Sequence, residues 1–225
     1  MTLPFFSDEQ KIRLSPHKIE SERDLLVWLP THFESYFCES TFPDPENRSH
    51  TALNALMISK PKKCRALHAI GGVHPKLLGE ALFKNKKFII IESTSQTRLK
   101  NLKVDTIYPL YGQWVFYENE YYLIDPIHIP REWVGRIRPR YEGIPLVVKA
   151  KSMERAIEAA IANIEAVDSA ALMVSQAMLH HSPPVSMIKD ILLRVHAPTS
   201  INDANSALHN LKKLNMIGLI AENEK

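Results

Sequence analysis

At 225 residues, with 45% apolar side chains and a formal charge of +3, the chain can hold one sizeable core or two small ones and reads as a soluble globular protein. No apolar run reaches the roughly 18 residues that a membrane span needs, which excludes a membrane partner on this reading. Two cysteines, Cys38 and Cys64, cannot build a metal cage alone, and the start MTLPFFSDEQ lacks the segments of a secretory signal, so a reducing cytoplasm is the expected compartment.

In chain order, Met1 to Pro16 reads as a loosely held arm anchored by Phe5 and Phe6. Ser21 and Asp24 have capping-box spacing ahead of the apolar residues Leu25, Leu26, Trp28 and Leu29, predicting a helix limited by Pro30. Leu53 to Ile58 and Arg65 to Val73 are apolar runs of strand length, separated by the turn-forming Lys60-Pro61-Lys62-Lys63. Pro75 is expected to open a helix along Leu77, Leu78, Ala81 and Leu82, and Phe88 to Ile91 a strand buried on both faces. Gly71-Gly72 sits in a strand pattern and suits a bulge or a close backbone approach better than a phosphate cradle. Trp114 to Asp125 predicts a β-hairpin turning at Glu118-Asn119, and Ile144 to Lys149 a further strand.

This order of elements, carried by SERDLLVWLPTHFES, STFP, RSHTALNALM, HAIGGVHP and FIIIESTSQTRLKNL, resembles the restriction-endonuclease-like core of the TnsA-type endonuclease subunits of heteromeric transposases. The resemblance covers about the first half of the chain and implies an α/β fold with a mixed nuclease-like sheet. It also implies a site in which a helix acid and strand acids hold divalent cations for phosphodiester attack. Carried over, the helix acid falls on Glu22 or Asp24, the strand aspartate on Leu53 or Asn54, and the Glu-x-Lys strand end on Gly72-Val73-His74. The catalytic candidates Glu22, Asp24, Asn54 and His74 thus retain too few carboxylates for a normal Mg²⁺ site. A second acid and lysine in nuclease order, Asp125 and Lys149, has Val147 where an acid is required.

Basic residues cluster at Lys60 to Arg65, Lys84 to Lys87, Arg131 to Arg140 and Lys212-Lys213. In IPREWVGRIRPRYEG, Arg131, Arg136, Arg138 and Arg140 interleave with Trp133 and Tyr141, a composition suited to phosphates or unstacked bases. From Ser152 to about Ala166 a linking helix is expected, then helices over Ala170 to His180, Val185 to Val195 and Ser200 to Leu214, and a strand over Gly218 to Ala221. The last helix carries an apolar stripe and an opposite face of Asn202, Ser206, His209, Asn210 and Lys213. This arrangement resembles a winged-helix domain, whose third helix reads a major groove.

The expected organisation is an α/β endonuclease-like domain over 1–150, with 112–143 as an insertion, a linking helix over 151–168 and a winged-helix-like domain over 169–225. The expected function is a DNA- and partner-binding accessory factor of transposition or another mobile element, built on a degenerate nuclease fold. Its partners would be double-stranded DNA and a transposase or other mobile-element protein, with a second copy of the chain as a further candidate. This reading needs no enzyme activity and no cofactor. The alternatives are a Mg²⁺-dependent DNA endonuclease of a transposase and a winged-helix regulator of transcription or replication.

Overall fold

The computed structural model describes residues 3, 5–44, 46, 49–64, 69–94, 98–177 and 183–223, with 98 and 214–223 described by their backbone alone. A capping box between Ser7 and Gln10 starts helix α1 (Asp8–Leu14), and the expected box between Ser21 and Asp24 starts a single turn, α2 (Glu22–Leu25). Strands follow as β1 (His32–Ser35), β2 (His50–Met57), β3 (Lys62–Lys63), β4 (Leu77–Phe83), β5 (Lys86–Glu92), β6 (Ile107–Tyr117), β7 (Glu120–His128) and β8 (Ile137–Arg140). Helices α3 (Ala150–Ala162), α4 (Ile164–Gln176), α5 (Val185–His196) and α6 (Ile201–Asn223) complete the order.

The chain divides into two compact units, one formed by Met1–Glu34 with Ile137–Lys225 and the other by Ser35–Arg136. The boundaries therefore fall at 34/35 and 136/137, and the expected boundaries near 150 and 168 lie inside the first unit. The second unit is an insertion into the first. Each has its own apolar core.

The first unit is mainly helical. Leu14, Leu25 and Leu26 of its N-terminal segment are fully buried with Ile157 of α3, Val167 of α4, Leu192 of α5 and Leu211 of α6. The expected linking helix is interrupted at Asn163, whose extended backbone ends α3 and whose Oδ1 accepts the Glu165 N–H at 3.1 Å to cap α4. Residues 178–180 of the helix expected to reach His180 lie outside the described residues. Residues 218–221, expected as a wing strand, continue α6. The segment expected as a strand over 144–149 is a tight turn closed between Ile144 and Val148.

In the second unit, the strands run β2-β6-β7-β5-β4-β3, and an additional pairing of β2 with β4 closes the sheet. Every long pair is antiparallel except β5 with β7, which is parallel. A closed five-strand barrel with this connectivity is the OB-fold, with β3 as a short extra strand on its edge. The open nuclease-type sheet is replaced by a barrel because the segment after Pro75 is β4 and not a helix. Leu77, Gly79, Ala81 and Phe83 point inward in strict alternation, and Leu78 and Leu82 lie on the outer face.

The interior holds Leu53, Met57, Phe88, Ile90, Trp114 and Leu123. A 3₁₀ turn (Arg98–Asn101) brings Leu99, with Leu102 after it, into this core. Phe42 packs edge-on to Trp114 at 5.2 Å and Tyr121 at 4.5 Å at the barrel end where β5 and β7 begin. The expected strand over Arg65 to Val73 is only partly described, since 65–68 lie outside the described residues. Its remainder forms a tight turn in which Ile70 and Val73 exchange backbone hydrogen bonds. That turn packs on the outer face of the barrel, against Ile91, Val115, Tyr122 and Ile124.

Candidate nucleic-acid interface

Strand direction sorts the basic residues of the barrel into two ends. The turn Lys84-Asn85 and the starts of β5 and β7 share one end. The β2-to-β4 connection and the β5-to-β6 connection share the other. At the first end two of the three lysines are engaged: Lys87 pairs with Glu80, and the Lys86 ammonium lies 5.0 Å from the centre of the Phe42 ring, while Lys84 is exposed in the turn. Glu118 and Glu120 add negative charge there.

The second end differs. Lys62 and Lys63 form β3, Lys60 and Lys76 lie just before β3 and β4, and Lys100 and Lys103 lie on the β5-to-β6 connection. All six are exposed, and none forms an ion pair among the described residues. The nearby carboxylates are occupied by the backbone. Glu92 is buried and its Oε2 accepts the Leu99 N–H at 3.2 Å, while Asp125 accepts the Ser93 N–H at 2.7 Å and the Ser93 hydroxyl at 2.5 Å. Asp105 is the exposed acid of this connection. A surface with six such ammonium groups and one exposed carboxylate suits an anionic polymer.

The outer face beside these lysines offers little for base stacking. Leu78, Ile89, Ile91 and Ile124 pack with Ile70 and Val73, and Tyr122 is buried with its hydroxyl donating to Glu120 at 3.1 Å. Burial, with Glu120 next, pushes that phenol up to about 12. The chemistry on display is therefore phosphate contact rather than the aromatic platform of single-strand binders.

The residues expected from sequence to contact DNA fall into three groups. Arg131 and Arg136 are exposed around a 3₁₀ turn (Arg131–Trp133) on the barrel unit. Arg138 and Arg140, on β8, are turned inward to Glu154 of α3, with Arg138 Nη2 2.8 Å and Arg140 Nη1 3.0 Å from its carboxylate. Glu154 is only 4% exposed in its side chain against 15% for Arg138 and 31% for Arg140, so these guanidiniums neutralise a buried acid. Asn202, Ser206, His209, Asn210 and Lys213 do lie on an exposed face of α6, and the Ser206 hydroxyl is engaged by the Asn202 carbonyl at 2.9 Å.

The catalytic candidates are divided between the two units. Asp24 serves as the cap acceptor, taking hydrogen bonds from the Ser21 N–H at 2.8 Å and its hydroxyl at 2.7 Å. Glu22 accepts from the Asn163 side-chain amide at 2.6 Å. Both belong to the helical unit, whereas Asn54 and His74 belong to the barrel unit, where Asn54 Oδ1 accepts from the Cys38 thiol at 3.7 Å. Among the described residues, no three His, Cys, Asp or Glu side chains converge as metal ligands. No helix among them is long and apolar enough to cross a membrane.

The cluster from Lys60 to Arg65 is visible in the sequence, whereas Lys76, Lys100 and Lys103 are scattered along the chain and escape a sequence reading. Only the strand directions bring them to one end.

No protein-family model and no curated protein matches the chain. Among solved structures, RecG bound to a three-way DNA junction is similar in fold, with a TM-score of 0.54 at 19% sequence identity. The match covers 92% of this chain, which takes in residues of both units, and 28% of that one. The chain thus spans little more than a quarter of the length of that neighbour, and this likeness does not bear on a TnsA-type relationship.

Proposed function

We propose that this chain is a DNA-binding module that grips the phosphate backbone without reading sequence, and that its substrate class is branched DNA. The six lysines at one end of the barrel, unpaired among the described residues, carry this reading. OB-folds commonly present the connection after their first strand to nucleic acid, and here that connection holds four of the six. The preference for branched over linear DNA rests on the junction held by the RecG neighbour.

The test is fluorescence anisotropy with a labelled three-way junction, a duplex and a single strand, each at about 50 and about 200 mM salt. Tight, salt-sensitive binding is expected, with the junction preferred. Replacing Lys62, Lys63, Lys100 and Lys103 together by Ala should lower the log–log salt slope by roughly 0.9 for each phosphate that the variant no longer neutralises. An unchanged slope in that variant would sink the assignment to this end. In that case the same measurement on Arg131→Ala with Arg136→Ala and on Lys213→Ala would test the sites expected from sequence.

The narrower reading, an accessory DNA- and partner-binding factor of transposition, shares this first step. It would be supported by preference for a transposon end over an unrelated duplex of equal length.

A further inference from the structure

Leu146 is the most exposed large apolar residue among those described, at 97%. A lone exposed leucine is ordinary by itself. This one, however, has φ +63, in the left-handed region that suits Gly or Asn and is unfavourable for a leucine. The turn that imposes this conformation is stiff. Ile144 and Val148 are buried and exchange N–H···O bonds of 2.8 and 2.9 Å, and Pro145 fixes the approach. Gly143 passes so close beneath that a Cβ there would lie 2.2 Å from the Val148 carbonyl oxygen. From α1, the Arg13 guanidinium donates to the Leu146 carbonyl at 3.4 Å.

The result is an apolar tip held out into solvent on a fixed support. Its surroundings are cationic: Lys149 and Lys151 are exposed and form no ion pair among the described residues, against the exposed Glu142 on the first limb. An apolar side chain presented on a rigid, positively charged loop is the equipment with which DNA-bending proteins open a base step. An intact duplex resists such insertion, while the base pairs at a branch lack a stacking neighbour on one side and cost less to part.

We infer that Leu146 is a wedge that inserts among the bases of a DNA branch point, with Lys149 and Lys151 holding the flanking phosphates. The inference rests on the DNA-binding reading above and adds a second contact, made by the helical unit. It also accounts for the choice of leucine at a backbone position where asparagine would be less strained.

The experiment uses the full chain and a three-way junction carrying 2-aminopurine at the branch, whose fluorescence rises when it is unstacked. Binding to the same junction and to a linear duplex is followed separately by anisotropy. The wild type should give a severalfold fluorescence rise at the branch. Leu146→Asn, which suits the left-handed backbone and removes the apolar tip, should lose that rise and fall to duplex-like affinity for the junction, with duplex binding unchanged. Leu146→Met should retain the rise. A full fluorescence rise from a folded Leu146→Asn protein would overturn the wedge while leaving DNA binding intact, and would direct the exposed leucine to a protein partner instead. Failure of the wild type to bind either DNA would overturn the DNA-binding reading, and the wedge with it.

Discussion

His196 shows how much a single buried side chain constrains the helical unit. Its Nε2 lies 2.7 Å from the Leu26 carbonyl oxygen, which can only accept, so Nε2 carries the proton. Nδ1 then accepts from the Tyr141 hydroxyl, also at 2.7 Å. Burial of the ring, only partly offset by the Leu26 carbonyl, lowers its pKa from 6.5 to about 4. The folded value lies below the unfolded one, so as the pH falls the unfolded chain takes up the proton first. Stability from this group is complete above pH 6.5 and is lost progressively down to about pH 4, a loss of about 3 kcal/mol. Urea titrations across that window should show the decline. His196→Gln, which keeps a donor for Leu26, should be less stable at neutral pH but flatter between these limits. An equal pH slope in both proteins would assign the decline to other groups.

Among the strands, β6 turns on one residue. The pairing of β6 with β7 shifts register between Tyr111 and Gln113, and Gly112 sits at that irregularity. A Cβ there would lie 2.8 Å from the Ile124 carbonyl oxygen and 3.0 Å from the Pro126 Cα, both backbone atoms that cannot swing aside. Gly112→Ala should therefore destabilise the barrel by about 1–3 kcal/mol, seen as a lower urea midpoint reported by the buried Trp114. A midpoint unchanged from wild type would mean that the strands separate without penalty.

Legibility in the sequence varies by element for definable reasons. The β6–β7 hairpin is plain because Glu118-Asn119 is a two-residue turn, with both residues at positive φ, between apolar strands. β4 reads as a helix because Leu78 and Leu82 on its half-buried outer face add apolar residues at spacings of one and four to the inward set at spacings of two. The expected wing strand fails because its apolar residues simply prolong α6. At the site level, Arg138 and Arg140 look like DNA ligands because their partner, Glu154, is remote in sequence. The six lysines are invisible as a group because no local pattern encodes strand direction.

At the scale of the whole molecule, the two cores share no residue. The helical core draws on residues between Leu3 and Phe33 and between Tyr141 and Leu211, and the barrel cores on residues between Tyr36 and Trp133. Replacing residues 36–135 by a short glycine-rich link should therefore leave a folded helical unit, with cooperative thermal unfolding by circular dichroism and the pH response of His196 intact. A molten, non-cooperative product would show that the barrel is needed for the helices to fold.

The two-stranded ladder of β1 and β8 gives this arrangement a wider consequence. The chain leaves the helical unit after Glu34 and returns at Ile137, through strands bonded to each other, so its two cut ends lie about 5 Å apart. Any module whose own termini are neighbouring strands fits that socket without rerouting the host. Over evolutionary time, the barrel can be exchanged, enlarged or lost in one step while the helical host persists. The surface presented to a ligand can then change faster than the frame that presents it.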